Sequence, residues 1–186
     1  MTTRWRPDFD PEHLYFVTTT AVNHALIFRR DVNKRILVDA LYYVSLMNKV
    51  ILYAFVVMPN HVHVLVQGPP DASLQGWVRA FKAGTSRLIV RQYQVEGNAR
   101  ALDALHAMVT RPGKQQYKVW EDNYLAKDVF TPAVLEQKLS YIHRNPVRPR
   151  WRLVDLAEEY PWSSARYYLQ NEPALIPVRD ARALLV

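Results

Sequence analysis

Apolar residues along the chain follow two alternating periods. Residues 14–22, LYFVTTTAV, are aromatic and β-branched, which suits a strand. Over residues 31–49, Ile36, Leu37, Ala40, Leu41, Val44 and Met47 recur at helical spacing behind Asp31, a residue able to cap the first turn. Residues 50–58, VILYAFVVM, and 61–67, HVHVLVQ, return to strand character on either side of Pro59 and Asn60, which predicts a hairpin. The helical period reappears over 71–94 after the breaker GPPDAS, with Asp71 or Ser73 as its cap. From 95 to 116 the pattern is mixed, with turn signals at EGN and RPGKQQ and a short helix expected around 102–108. YKVW, 117–120, suits a short strand. TPAVLEQKLSYIHRNP, 131–146, suits a helix opened by Thr131 and Pro132 and closed at Pro146.

A few-stranded antiparallel sheet with helices packed on one face accommodates this order, so the expected fold is an α+β sandwich of ferredoxin-like or RRM-like type. With 186 residues and no internal repeat, one domain over 1–170 and a C-terminal tail over 171–186 are expected.

Cysteine is absent, which excludes disulfides, thiolate nucleophiles and cysteine-ligated zinc or iron–sulfur centres. Any metal must sit on nitrogen or oxygen ligands. Lys and Arg number 24 against 17 Asp and Glu, and the net charge of +7 favours a polyanionic partner. No stretch reaches the roughly 20 apolar residues of a membrane span, and MTTRWRPDFD lacks the apolar core of a signal peptide. A cytoplasmic protein with no membrane partner is expected.

Two histidines interrupt the valines of VVMPNHVHVLV, residues 56–66. Strand side chains alternate faces, so His61 and His63 share one face, roughly 6.5–7 Å apart, while Val62, Val64 and Val66 take the other. Two imidazoles at that spacing can lean onto one cation, but half-buried strand histidines are the commoner use of such a pair. A jelly-roll metal site would add Glu four residues after the second His, where this chain has Gln67. A two-histidine phosphoesterase would need a second His-x-Ser/Thr, and none of His13, His24, His106 or His143 supplies one.

In LEQKLSYIHRNPV, Tyr141 and Asn145 lie one helical turn apart on one face, beside a core stripe of Leu135, Leu139 and Ile142. A boundary tyrosine usually packs its ring and wets its hydroxyl. Taken together, VVMPNHVHVLV, then YIHRNPV about eighty residues on, then YPWSS resemble the single-tyrosine HUH transposases, in particular the REP-associated tyrosine transposases. The resemblance runs from the first strand to about Leu169.

By that resemblance His61 and His63 bind a divalent metal, Tyr141 is the nucleophile and Asn145 is the third metal ligand. The cofactor is expected to be Mg²⁺ or Mn²⁺, and the substrate single-stranded or hairpin DNA. Tyrosine is a poor nucleophile while protonated, so it needs a nearby base, metal or cation before it attacks phosphorus. The implied product is a 5′-phosphotyrosine link and a free 3′-OH, with reversal rejoining the strand. A monomer is implied rather than a helix-swapped dimer. One departure stands out: family members often continue Asn-Pro-Val-x-x-Gly-Leu, whereas NPVRPRWRLV places Arg150 and Trp151 at the Gly and Leu positions.

On a helical wheel of 71–94, Leu74, Trp77, Val78, Phe81, Leu88 and Ile89 gather on one side, with Arg79, Lys82, Ser86, Arg87 and Arg91 opposite. Such a face is either solvated or runs along a DNA backbone. A second cluster, Arg144, Arg148, Arg150 and Arg152, surrounds Trp151, a combination suited to single strands. Trp162, Tyr167 and Tyr168 are assigned to packing. A non-catalytic nucleic-acid-binding module on the same fold is the alternative to a nuclease and strand transferase. A metallohydrolase using water would lack its acidic ligands and general base.

Overall fold

The computed structural model describes residues 10, 13–70 and 72–184. Four strands, β1 (Leu14–Thr20), β2 (Ile51–Val57), β3 (His61–Gln67) and β4 (Leu125–Val129), form one antiparallel sheet in the order β2-β3-β1-β4. The helices are α1 (Asp31–Met47), α2 (Leu74–Val95), α3 (Ala99–Ala107), α4 (Pro132–His143) and α5 (Ala165–Gln170). This is the α+β antiparallel sandwich expected from the pattern, but the helices do not all pack on one face, because both faces of the sheet carry apolar side chains that need cover. The helices divide between the two faces of the sheet. Val17, Val62, Val64 and Phe55 meet the core shared with α1 and α2, while Phe16, Leu65, Ala54 and Val56 meet α4 and α5.

Three helices start at a side-chain cap, whereas α1 and α5 do not; Asp31, expected to cap α1, is its first helical residue behind Arg30 and accepts from Lys34 instead. Ser73 Oγ accepts from the Gly76 amide at 3.1 Å and sets the start of α2; Asp71, the other candidate, lies outside the described residues. Asn98 Oδ1 accepts from Ala101 and starts α3 three residues before the expected position. Thr131 Oγ1 accepts from Val134 with Pro132 in the first turn of α4. The buried stripe of α2 is Leu74, Trp77, Val78, Phe81, Thr85, Ile89 and Tyr93. Leu88, placed on that stripe by the wheel, is 47% exposed, and Thr85 takes a core position instead. Its hydroxyl donates to the Phe81 carbonyl and accepts from Trp120 Nε1, so no polar atom is stranded.

Two strand expectations change. β1 stops at Thr20, because the chain turns through Asn23 and His24, both at positive φ (50° and 54°). Residues 117–120 give only a single bridge, Trp120 to Ala21, and the fourth strand is β4. β4 pairs with the outer edge of β1, and of its sequence LAKDV only Val129 is buried. An edge strand carrying Lys127 and Asp128 is protected from further pairing and shows no apolar alternation.

The far edge, β2, is covered by residues 162–181. The Val57 amide donates to the Trp162 carbonyl, Ser163 bridges Val56, and the Ser164 amide donates to the Phe55 carbonyl. Tyr168, buried as a packing residue, donates its hydroxyl to the Tyr53 carbonyl. Beyond α5, Ile176 and Ala181 are buried and the Arg179 amide donates to the Leu52 carbonyl.

Candidate active site

β1 and β3 pair with Thr18 opposite His63 and Thr20 opposite His61, so hydroxyls and imidazoles share the face that α4 crosses. The two imidazole centroids are 4.6 Å apart. Each ring is fixed through Nδ1. Thr18 Oγ1 lies 2.7 Å from His63 Nδ1, and Asn60 Oδ1 lies 2.7 Å from His61 Nδ1. The Asn60 amide is itself oriented, because its Nδ2 donates to the His24 carbonyl at 3.0 Å. His61 Nδ1–H donates to Asn60 Oδ1, an oxygen that can only accept, and its ring also meets the Asn145 side chain; with Nδ1–H donating to Thr18, His63 Nε2 presents its lone pair. His63 Nε2 is buried without a hydrogen-bond partner, the atom a cation would satisfy.

Both rings are held neutral. Burial pushes the His61 imidazole down to about 4, with Arg150 and His24 adding positive charge and the Asn145 side chain partly opposing. Burial, then His61, Arg148 and Lys138, push His63 down to about 2. A neutral imidazole with a free Nε2 is the form that ligates a metal.

α4 brings Tyr141 over this pair. Leu135, Leu139 and Ile142 bury the helix against the sheet and leave Tyr141 half-buried at its edge, with its ring edge-on 5.1 Å from His63 and 5.8 Å from Phe16. The helical turn continues past His143, because the Asn145 amide donates to the Ile142 carbonyl, and Asn145 is buried beside His61. Among the described residues no three His, Asp or Glu side chains come together around a metal position. A cation here would therefore draw on the two imidazoles and the Asn145 amide oxygen, a donor set suited to a hard or borderline divalent ion with open positions.

The loop after α4 completes the pocket. The amides of Trp151 and Arg152 both donate to the Arg148 carbonyl, which folds the loop back so that the Trp151 ring lies 5.8 Å from His61. The Arg148 guanidinium stacks over the Tyr141 ring at 4.1 Å and that of Arg150 over Trp151 at 5.4 Å. The residues replacing the family's Gly and Leu thus form a wall of the pocket. Its volume is about 300 Å³, and Thr18, Thr20, His24 and Asn60 complete its lining. A second cleft of about 630 Å³ lies on the other side of Tyr141 and Arg148, lined by Lys138 and Arg144.

The structure thus gathers His61, His63, Tyr141, Asn145, Arg148, Arg150 and Trp151 around one pocket, with Arg144 next to it. Arg79, Lys82, Arg87 and Arg91 are elsewhere, on α2. Lys82 donates to the carbonyls of Glu121 and Asn123. Thr18, Asn60 and His24 were not singled out by sequence. Asn60 precedes the histidine pair directly, and Thr18 becomes visible only once β1 and β3 are in register.

Residues 12–145 match the family described as "Transposase IS200 like". The chain belongs to the IS200-like transposase family. Membership makes it a DNA transposition enzyme, one that binds, cleaves and joins DNA. Among solved structures it is similar to a REP-associated tyrosine transposase bound to a REP hairpin, with a TM-score of 0.66 and 16% identity over 96% of this chain and 93% of that one. At that identity the likeness is one of fold. A putative transposase from Deinococcus radiodurans R1 aligns at 20% identity and a TM-score of 0.46, over 77% of this chain and 95% of that one. No curated protein matches the sequence. No helix among the described residues of this transposase-family chain is long and apolar enough to cross a membrane.

Proposed function

We propose that the chain is a metal-dependent single-strand DNA endonuclease and strand transferase that works through a 5′-phosphotyrosine intermediate at hairpin-forming repeat DNA. The observation that carries this is the position of Tyr141, 5.1 Å from a histidine whose buried Nε2 has no partner. Tyr141 Oη attacks the scissile phosphorus, a tyrosyl O–P bond forms, and the bond from phosphorus to the 3′ oxygen breaks. The phenol proton passes to solvent, and the 3′ oxygen leaves as a hydroxyl after taking up a proton. Attack by a 3′-OH on the phosphotyrosine reverses these steps and joins a strand, so no nucleotide cofactor is needed.

His61, His63 and Asn145 would hold Mg²⁺ or Mn²⁺. Such an ion polarises a phosphate and stabilises charge on the departing oxygen. Arg148 keeps the Tyr141 ring in place and, with Arg150, offers positive charge to the phosphate. Trp151 offers a face on which a flanking base can stack. The resemblance of the sequence motifs to the REP-associated branch supports action as a monomer, and the REP hairpin bound by the structurally similar transposase supports hairpin DNA as the substrate.

A labelled single-stranded hairpin incubated with the protein and Mn²⁺ should give a covalent protein–DNA adduct on a denaturing gel. Tyr141→Phe should abolish it and His61→Ala should reduce it at least a hundredfold. An undiminished adduct in Tyr141→Phe would falsify the assignment.

A further inference from the structure

A groove of about 600 Å³ runs between α2 and residues 114–124, on the side of the sheet away from Tyr141. Arg79 and Arg87 on α2 face Lys114 across it, and Tyr117 and Tyr124, both half-buried, also line it. Arg79, Arg87 and Lys114 form no salt bridge among the described residues. Eight residues of helix separate the two arginines, so roughly 12 Å of groove lies between them.

The groove also shares a wall with the catalytic pocket. The Glu121 amide donates to the Thr20 carbonyl, the Val22 amide donates to the Val119 carbonyl, and Glu121 Oε1 accepts from the Asn23 amide. Thr20 and His24 line the catalytic pocket, and Val119 and Glu121 line the groove. Residues 20–24 therefore form a short rim around the end of the sheet with one site on either side.

We infer that this groove holds a single-stranded stretch of DNA that flanks the strand held at Tyr141 and wraps over the rim at residues 20–24. The inference rests on the DNA-cleaving function proposed above. Unpaired cations track a phosphate backbone, and aromatic rings set among them favour unpaired bases over a duplex. Of the two acidic residues on the path, Asp122 is offset by a cation, and Glu121 is a single negative charge against Arg79, Arg87 and Lys114. Asp122 is paired with Lys118, and Glu121 is bonded to the rim through Asn23. The groove thereby gives a second, separate binding surface outside the catalytic pocket, and selects substrates with an unpaired flank.

The test measures binding by fluorescence anisotropy on full-length Tyr141→Phe protein, which cannot be lost to adduct formation. The probes are a bare hairpin, the same hairpin with a single-stranded flank on one side or the other, and a hairpin whose flank is annealed to its complement. Arg79→Ala/Arg87→Ala/Lys114→Ala should bind a single-strand-flanked hairpin at least tenfold more weakly at about 0.1 M salt. Its slope of log affinity against log salt should be smaller by about 2, at roughly 0.7 per phosphate contact. Bare-hairpin affinity should stay the same, and Arg79→Lys/Arg87→Lys should recover most of the loss. Unchanged affinity and slope on both flanked probes would overturn the groove alone. Equal weakening on the bare hairpin would overturn it too, by assigning the groove to the stem, and so would equal weakening on the annealed flank. Failure of the parental protein to bind any probe would remove the DNA-cleaving function as well.

Discussion

At the level of single residues, the candidate site depends on which nitrogen of each imidazole is committed. An imidazole that bonds through Nδ1 presents Nε2, and here Thr18 and Asn60 make those bonds at 2.7 Å each. Neither contact would be visible in a search for ligands, because each oxygen is already committed to an imidazole Nδ1. Removing such an orienting partner from a metal-binding histidine typically lowers metal affinity by about 10–100-fold. Thr18→Val keeps the branched shape and the strand preference and removes only the hydroxyl. Its Mn²⁺ affinity, read by isothermal titration calorimetry, should fall by about that factor, while Thr18→Ser should come back to within a few fold of the parent. Equal affinities in Val and Ser variants would show that the hydroxyl does not set the ring. The Asn60 amide is fixed by the His24 carbonyl, which makes the positive-φ turn at 23–24 part of the site's support.

At the level of elements, α4 matters most, since it carries Tyr141 on one edge and its burial stripe on the next. Thr131→Ala removes the side-chain oxygen that accepts from Val134, far from the reacting groups. It should destabilise the protein by about 1 kcal/mol in urea unfolding at unchanged m-value. A shift near zero would mean that Pro132 alone sets the helix start. Elements with a strong period were legible in the sequence: α1, α4 and the β2–β3 hairpin lie close to where the pattern puts them, although only α4 has the cap expected of it. β4 was not legible, because an edge strand with one buried residue and two charges carries no alternation to detect. The tyrosine and the histidine pair were visible as motifs, and their meeting was not. Nothing local to LEQKLSYIH states that this helix crosses the histidine face. That follows from which side of the sheet remains free once α1 and α2 have covered the other.

Across the whole molecule, His63 and His143 are buried and His61 is half-buried, all three in neutral form, and this shapes how stability responds to acid. His61 and His143 are pushed down to about 4 and His63 to about 2, in each case chiefly by burial. His143 is not part of the pocket; its Nε2 meets Ser164 Oγ at 3.0 Å, within the segment that covers β2. In the unfolded chain all three titrate near 6.5. Above about pH 6.5 both states are neutral and these groups make no difference to stability. Between about 6.5 and 4 the unfolded chain holds up to three more protons than the native one, so stability falls as pH falls, on the order of 1 kcal/mol per pH unit for each titrating ring. Melting temperature in chelator should therefore be flat from pH 8 to 7 and drop steeply from 6 to 4, and His143→Gln should show a shallower drop. Adding Mn²⁺ should raise the melting temperature at pH 7 by mass action, and the increment should vanish toward pH 4 as protons compete for His61 and His63. His143→Gln should keep that increment, because its ring lies outside the pocket, whereas His63→Ala should lose it. A metal increment independent of pH would place the ion on oxygen ligands alone and remove the histidines from the metal site.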